Sequence, residues 1–234
     1  MAVALITGAS RGFGRAVAEE LSNNDWDLVV DARNDDTLQS VARACRGAGR
    51  ISAFAGDVAD PAHREELAQV IRGLGRLDLL LNNASELGPS PQPQLDAYPL
   101  DELEHVYRIN ALAPLAIVQL VLPELVAAGG AVVNVSSDAA VEAYPGWGGY
   151  GSSKAALDQL TAVLAAEQPA LAVYAFDPGD MRTTMQQQAF PYEDISDRPE
   201  PHTVVPALLR LIEQRPPSGR YRSSDSLVAQ GSVR

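Results

Sequence analysis

The chain has 234 residues and 46% hydrophobic content, enough for one substantial core of the size common among single α/β domains. Its 18 basic and 30 acidic residues give a formal net charge of −12, which argues against nucleic acid or an anionic membrane as a general partner. A single cysteine, Cys45, excludes an internal disulfide framework. Residues 1–6 carry no basic segment and run straight into Thr7-Gly8, unlike a signal peptide. No uninterrupted run reaches the roughly 20 apolar residues of a membrane span, so a cytoplasmic protein is expected.

In chain order, short apolar runs at 2–7, 27–32, 51–55, 77–82, 131–136 and 171–176 read as strands. Most are continuously apolar, as expected of parallel strands covered on both faces. Helical stretches lie between them at 12–24, 35–49, 61–73, a pair spanning 100–128, and 151–168. Pro61 suits a first helical turn, Gly49 and Gly73 read as helix stops, and Pro114 predicts a break near 110–114. Two Pro-rich segments, 85–99 and 177–201, show no element of their own; the second is long enough to be a substrate loop. Residues 219–222 are the candidate last strand, and 223–234 read as a polar, loose tail. The alternation predicts a single domain of class α/β, a doubly wound parallel sheet in a three-layer α/β/α arrangement.

Between the first strand and first helix stands Thr7-Gly8-Ala9-Ser10-Arg11-Gly12-Phe13-Gly14. Glycines there allow a tight turn and let a pyrophosphate approach the backbone at a helix N-terminus, as in Rossmann-type folds. Gly8-x-Ser10-x-Gly12 also matches the nucleophile-elbow string of serine hydrolases, whose histidine would have to come from His63, His105 or His202. One strand rather than several precedes this serine, which disfavours the hydrolase alternative. At the second strand's end, Ala32 stands where an NAD-selecting acid would be, and Arg33 follows. With Arg11 in the glycine turn, Arg33 favours the 2′-phosphate of NADP(H) over NAD(H). The alternative is two ordinary surface arginines, paired with Asp31 or Asp35. Asp31 is expected to point away from the ribose side.

Tyr150 and Lys154 are four residues apart at the head of an Ala/Leu-rich helix, hence on one face. An ammonium one turn from a phenol should draw its pKa down from about 10 toward general-acid range. Taken with the glycine turn, Asp57-Val58, Asn82-Asn83-Ala84, Ser137 and Pro178-Gly179, this pair makes the chain resemble the short-chain dehydrogenase/reductase family. Ser137 lies 13 residues before Tyr150 and Asn110 lies 27 before Ser137, as in that family. The resemblance implies Tyr150 as general acid/base, Lys154 on the nicotinamide ribose, and Ser137 on the substrate oxygen. It implies Asn110 as holder of a water linked to Lys154, the fourth catalytic residue. It places Gly8, Ser10, Arg11, Gly12, Phe13 and Gly14 on the cofactor phosphates, Asp57 on adenine and Asn83 on the adenosine side. Val58, Ala84, Pro178 and Gly179 belong to the same cofactor set, with Thr183 on the carboxamide and no metal ligand.

The chain departs from the family in having Ser85 where a glycine is usual, which should perturb only a turn. The other departure is a tail without the usual subunit-contacting string, which puts a tetramer in doubt and leaves a homodimer through helices 100–128 and 151–168. A small-molecule carbonyl or alcohol substrate would sit under 86–98, 139–149 and 181–201. Tyr144, Trp147, Met181, Met185, Phe190 and Tyr192 are its candidate apolar walls, with Asp180 and Arg182 adding charge. The activity implied is NADP(H)-dependent hydride transfer between the nicotinamide and a carbonyl or alcohol. A non-catalytic NADP-binding sensor is the other reading.

Overall fold

The computed structural model describes residues 1–225. Seven parallel strands form one sheet in the order β3-β2-β1-β4-β5-β6-β7. The strands are β1 (Val3–Ile6), β2 (Asp27–Ala32), β3 (Ile51–Ala55), β4 (Leu79–Asn82), β5 (Ala131–Val135), β6 (Ala172–Asp177) and β7 (Gly219–Arg222). The strand order reverses between β1 and β4, the position at which open α/β sheets leave a crevice at their carboxyl ends. The helices are α1 (Gly12–Asn23), α2 (Asp35–Ala44), α3 (Pro61–Leu74), α4 (Leu100–Tyr107), α5 (Ala113–Ala128), α6 (Gly148–Glu167), α7 (Thr184–Ala189) and α8 (Pro201–Gln214).

Because side chains alternate along a strand, β1 sends Ala4 and Ile6 into one core and Val3 and Leu5 into the other. The first core is closed by Phe13, Val17 and Leu21 of α1, Leu38 and Val41 of α2, and Leu208 and Leu211 of α8. The second takes Leu67 and Ile71 of α3 with Ile117, Val121 and Leu125 of α5. Each such side chain, fully buried, contributes about 1.5–3 kcal/mol.

Several boundaries differ from the sequence reading, each for a local reason. Helix α2 stops at Ala44, and Gly49 serves close backbone approach, since a Cβ there would lie 2.0 Å from the Trp26 carbonyl oxygen. Gly75 rather than Gly73 ends α3, in the left-handed conformation at φ 73°. The break expected at 110–114 is a π-turn, Arg108–Leu112, and Pro114, which has no N–H to give, follows directly after it. The segment 177–201 contains α7. Helix α8, unread in the sequence, buries Val204, Val205, Leu208, Leu211 and Ile212 on one face despite Pro206. Helices α4 and α5 with the π-turn run continuously over Leu100–Ala128, 29 residues that are long and apolar enough to cross a membrane by length and composition. Here that stretch covers the second core with Ile109, Ile117, Val121 and Leu125. Of the tail, Ser223 binds back to Asp177 and Pro178, and 226–234 lie outside the described residues.

A buried polar chain docks α6 on the sheet. Asn82 Nδ2 donates to Asn134 Oδ1 at 2.8 Å, and Asn134 Nδ2 donates to Thr161 Oγ1 at 2.8 Å. The Thr161 hydroxyl donates onward to the Leu157 carbonyl at 2.7 Å. Asn134→Leu strands the Asn82 amide donor without a partner in a site closed to water. The expected loss is about 1–3 kcal/mol, read as a lower urea midpoint at unchanged slope. Thr161→Val, which leaves the Asn82–Asn134 bond intact, should cost less. Equal losses would show that the Asn82–Asn134 bond contributes nothing, and no loss in either that α6 docks by apolar packing alone.

Candidate active site

A cleft of about 520 Å³ runs along the carboxyl ends of the strands. At one end lies the glycine turn, where Gly8 and Gly12 adopt φ of 65° and 56°. A Cβ on Gly8 would lie 2.8 Å from Ala84 Cα, so the close approach of β1 and β4 admits only glycine. Gly8, Ser10, Arg11, Gly12 and Phe13 border the cleft. Gly14 stands outside its lining and packs instead, since a Cβ there would come 2.4 Å from Asn83 Nδ2. Helix α1 begins with no side-chain cap and no acid in its first turn, so its orphan N–H groups are available to an anion.

Asn83 and Ala84 line the cleft and brace the turn. Thr7 Oγ1 accepts both of their N–H groups at 3.0 Å, and Asn83 Nδ2 donates to the carbonyls of Thr7 and Gly8 at 3.0 and 3.1 Å. At the end of β2, Arg33 is exposed and lies 3.2 Å from Glu86, not against Asp31 or Asp35. Arg11 borders the same cleft and makes no ion pair among the described residues. Asp31 is 1% exposed and is held under the glycine turn, where its Oδ1 accepts the Gly8 N–H at 3.0 Å. Asp57 and Val58 also line this end, with Asp57 Oδ1 accepting the Ala59 N–H and the Val58 carbonyl accepting from Arg64. No histidine hydrogen-bonds to Ser10 among the described residues, and His63 is engaged by Asp31, so the elbow has no base.

At the other end α6 carries Tyr150 and Lys154 into the cleft. Lys154 is 2% exposed; its Nζ donates to the Val135 carbonyl at 2.8 Å and lies 5.6 Å from the Tyr150 ring centre. Burial pulls the ammonium down to about 8. Tyr150 differs from expectation: burial pushes its phenol up to about 12, outweighing the hydroxyls of Ser85 and Ser137, which act the other way. The charges of Asp177 and Asp138 add to the rise. Nearness to Lys154 therefore does not set this phenol; exclusion from water does.

Ser137 caps the turn Asp138–Ala140, donating to Asp138 Oδ1 at 2.9 Å while still facing the cleft. Asn110 is fully buried in the π-turn, and every hydrogen-bonding position of its amide is taken. Its Oδ1 accepts from Ser85 Oγ and the Glu86 N–H, and its Nδ2 donates to the Glu86 carbonyl and Ser153 Oγ. The side chain thus clamps the loop after β4. Ser85, expected only to perturb a turn, joins this clamp and reaches the Tyr150 phenol.

Asp177 Oδ1 accepts the Gly179 N–H, shaping the turn at Pro178-Gly179, and both of those residues line the cleft. Thr183 caps α7, and its methyl would lie 3.4 Å from a Cβ on Gly12, so the loop closes directly onto the glycine turn. Of the apolar wall candidates, Trp147, Met181 and Met185 line the cleft. Phe190 backs Trp147 at 5.7 Å between ring centres, Tyr144 packs on the outside of the same ring, and Tyr192 is 91% exposed. Asp180 borders the cleft, whereas Arg182 is paired with Glu200. Arg220 of β7 was not read as functional. It donates to the Ser137 carbonyl at 2.8 Å and contacts Asp158 and Asp177, each at 3.0 Å.

Comparison with known proteins agrees with this geometry. The family model described as short chain dehydrogenase matches residues 2–194. The chain is 35% identical over 203 residues to sepiapterin reductase of Mus musculus, covering 80% of this chain and 77% of the relative. It is 34% identical to an (S)-benzoin-forming benzil reductase of Saccharomyces cerevisiae, covering 91% of this chain and 81% of that one. A solved short chain dehydrogenase of Escherichia coli, complexed with NADPH, superposes with a TM-score of 0.87 at 27% identity, covering 96% and 97% of the two chains. Motifs, sheet order and site thus agree on one assignment: the chain belongs to the short chain dehydrogenase family of oxidoreductases.

Proposed function

We propose that this protein is an NADPH-dependent carbonyl reductase, working in reverse as an alcohol dehydrogenase. The observation that carries the reading is one continuous cleft with an uncapped helix N-terminus and two arginines at one end and a buried Tyr–Lys pair at the other. The residues present fit a dinucleotide phosphate: glycines allow backbone approach, and Arg11 and Arg33 answer a 2′-phosphate where no acid replaces Ala32. Two similar structures complexed with NADP or NADPH support that choice. Bound in the cleft, the nicotinamide supplies the hydride. Tyr150 gives its phenolic proton to the carbonyl oxygen as the carbonyl carbon becomes tetrahedral, and solvent later restores it. Its raised pKa keeps it protonated at neutral pH, the form that reduction requires. Ser137 orients the same oxygen, and Lys154 holds the ribose and steadies the phenolate.

Trp147, Met185 and Leu87 beside Tyr150 suit an apolar, ring-bearing carbonyl compound, in keeping with relatives named for sepiapterin and benzil. Exposed Leu112 and Val163 on the outer faces of the π-turn and α6 suit a homodimer through those helices. A cytoplasmic workplace goes with the unpaired Cys45. A panel of such carbonyl compounds, followed by NADPH absorbance, tests the reading. Cofactor binding without turnover on any of them would leave the sensor.

Arg33→Ala should weaken NADPH about tenfold, roughly 1.5 kcal/mol, and NADH little; the low end is expected because Arg33 is exposed and shared with Glu86. Ala32→Asp should shift preference toward NADH. Titrating both cofactors into each variant decides this, and equal losses for the two cofactors would sink the arginine assignment.

Tyr150→Phe should cost about 10²–10⁴-fold in rate while NADPH binding persists, whereas Lys154→Met should damage both. The pH profile separates the two groups. Lys154 is charged below about 8 and Tyr150 stays protonated well beyond it, so kcat at saturating NADPH should be level below that pH and fall above it. A fall appearing only in strongly alkaline solution would assign it to Tyr150 instead.

A further inference from the structure

The proposed chemistry leaves one buried titratable pair unused. Asp31, next to last in β2, accepts the Gly8 N–H on Oδ1 at 3.0 Å, and its backbone carbonyl accepts the Ala9 N–H at 2.8 Å. One residue therefore fixes two successive N–H groups of the glycine turn. Its Oδ2 accepts from His63 Nε2 at 3.1 Å. His63 stands in the first turn of α3, 5% exposed, with its ring against Gly56; a Cβ there would lie 2.2 Å from Nδ1. Asp31 and Gly56 line the cleft, so the pair forms the wall behind its arginine-bearing end.

We propose that His63 and Asp31 form a proton-linked positioning pair that sets how tightly the glycine-turn end of the cleft holds a phosphate-bearing dinucleotide. The inference rests on the NADPH reading above and adds a control to it. With His63 protonated, the pair is neutral and Asp31 holds the turn without adding net charge. When His63 loses its proton, the Asp31 carboxylate stays buried with no cation to offset it, a few residues from where Arg11 and Arg33 would meet phosphate. The other groups that face the pair are acidic: Asp57 after β3, and Glu66 of α3, whose Oε2 is 3.7 Å from His63 Nδ1. No second cation pairs with Asp31 among the described residues. The hydrogen bond to Asp31 lifts His63 above the usual histidine range, against the opposing pull of burial. The sign follows: a raised folded-state pKa means the protonated pair is present below it and is lost as pH rises through it. Anion binding at the turn therefore weakens toward alkaline pH, and binding NADP⁺ takes up a fraction of a proton.

The test is NADP⁺ affinity by calorimetry from about pH 6 to about pH 9, for the wild type and for His63→Gln, whose amide can still donate to Asp31. Wild-type affinity should fall by about three- to tenfold over the range, the scale of one unit charge acting at roughly 10 Å in a partly screened site. His63→Gln should lack that fall and sit near the weak, alkaline end. The comparison also removes the titration of the 2′-phosphate itself, which runs the other way. The chain has three histidines, so the imidazole signal lost in the variant identifies His63 and gives its titration directly. A wild-type-to-variant affinity ratio that does not fall with rising pH, or a His63 titrating at or below the ordinary value, would each overturn the pair's role. The second is read on the wild type alone once His105→Gln and His202→Gln have assigned the other two imidazoles. Failure of the wild type to bind NADP⁺ at any pH would refute the cofactor reading and this inference with it, whereas normal binding without the pH dependence refutes this inference alone.

Discussion

Thr7 ties the two halves of the sheet together at the point where the strand order reverses, and the site is built on that junction. Its hydroxyl accepts the N–H groups of Asn83 and Ala84, while its carbonyl and that of Gly8 accept the Asn83 amide. Without those bonds the ends of β1 and β4 would carry unpaired polar groups in a nearly dry setting, a cost of about 1–3 kcal/mol each. The same bonds hold the glycine turn against β4 so closely that Gly8 and Gly14 have no room for a Cβ. From this junction the cleft extends one way to the end of β2 and the other way to α6. Its length follows from sheet topology; its chemistry follows from which side chains the strand ends present.

Desolvation, rather than charge proximity, governs the reactive end. Lys154 and Tyr150 are both buried, and each is pushed toward its neutral form, the lysine downward and the phenol upward. Both shifts favour the neutral forms, an uncharged phenol beside an amine that gives up its proton more readily than an exposed lysine. Holding such groups dry requires a firm frame. Asn110 supplies part of it, its saturated amide binding the loop after β4 to Ser153 of α6. Arg220 supplies another part: a cation from the last strand reaches back to the Ser137 carbonyl and offsets Asp158 and Asp177 behind the site. Asp158 in turn favours the charged form of Lys154. A short terminal strand thus matters to the centre of the sheet through one guanidinium.

The sheet, its parallel strands and the two ends of the cleft were legible in the sequence because they rest on local signals. Continuous apolar runs, a glycine-dense turn after the first strand, and Tyr150 four residues from Lys154 each declare themselves within a few residues. What was missed depends on contacts far apart in the chain. Helix α8 was hidden because the Pro-rich segment read as a loop, 177–201, runs into its first residue and Pro206 interrupts its pattern, although Val204, Leu208 and Leu211 fall at helical spacing. Ser85 looked like a turn substitution, and only the fold brings it to Asn110 and Tyr150. Arg220 lies 83 residues from Ser137, and nothing in its own strand announces the contact. Asp31 was read as pointing away from the ribose side, but its partner His63, 32 residues later, could not be paired with it from sequence. The downward pull expected on the Tyr150 phenol failed for a related reason, because burial is not a local property of a helix.

A chain with a net charge of −12 would have to solve the electrostatics of an anionic dinucleotide locally. Screening over ~8 Å at physiological ionic strength makes most of the acidic surface irrelevant to the cleft. Only the nearest groups decide: Arg11, Arg33 and the start of α1 on one side; Asp31, Asp57 and Glu86 on the other. Glu86 already shares Arg33, so the cation available to a phosphate is less than the sequence implies. Asp31 cannot be dispensed with, since it holds the Gly8 and Ala9 N–H groups that shape the turn. The structural need for that carboxylate conflicts with the binding of an anion beside it. Placing His63 behind Asp31 resolves the conflict without adding a cation to the cleft itself, and the resolution lasts only while the imidazole keeps its proton. Shape and charge at the glycine turn are for that reason coupled through one buried pair.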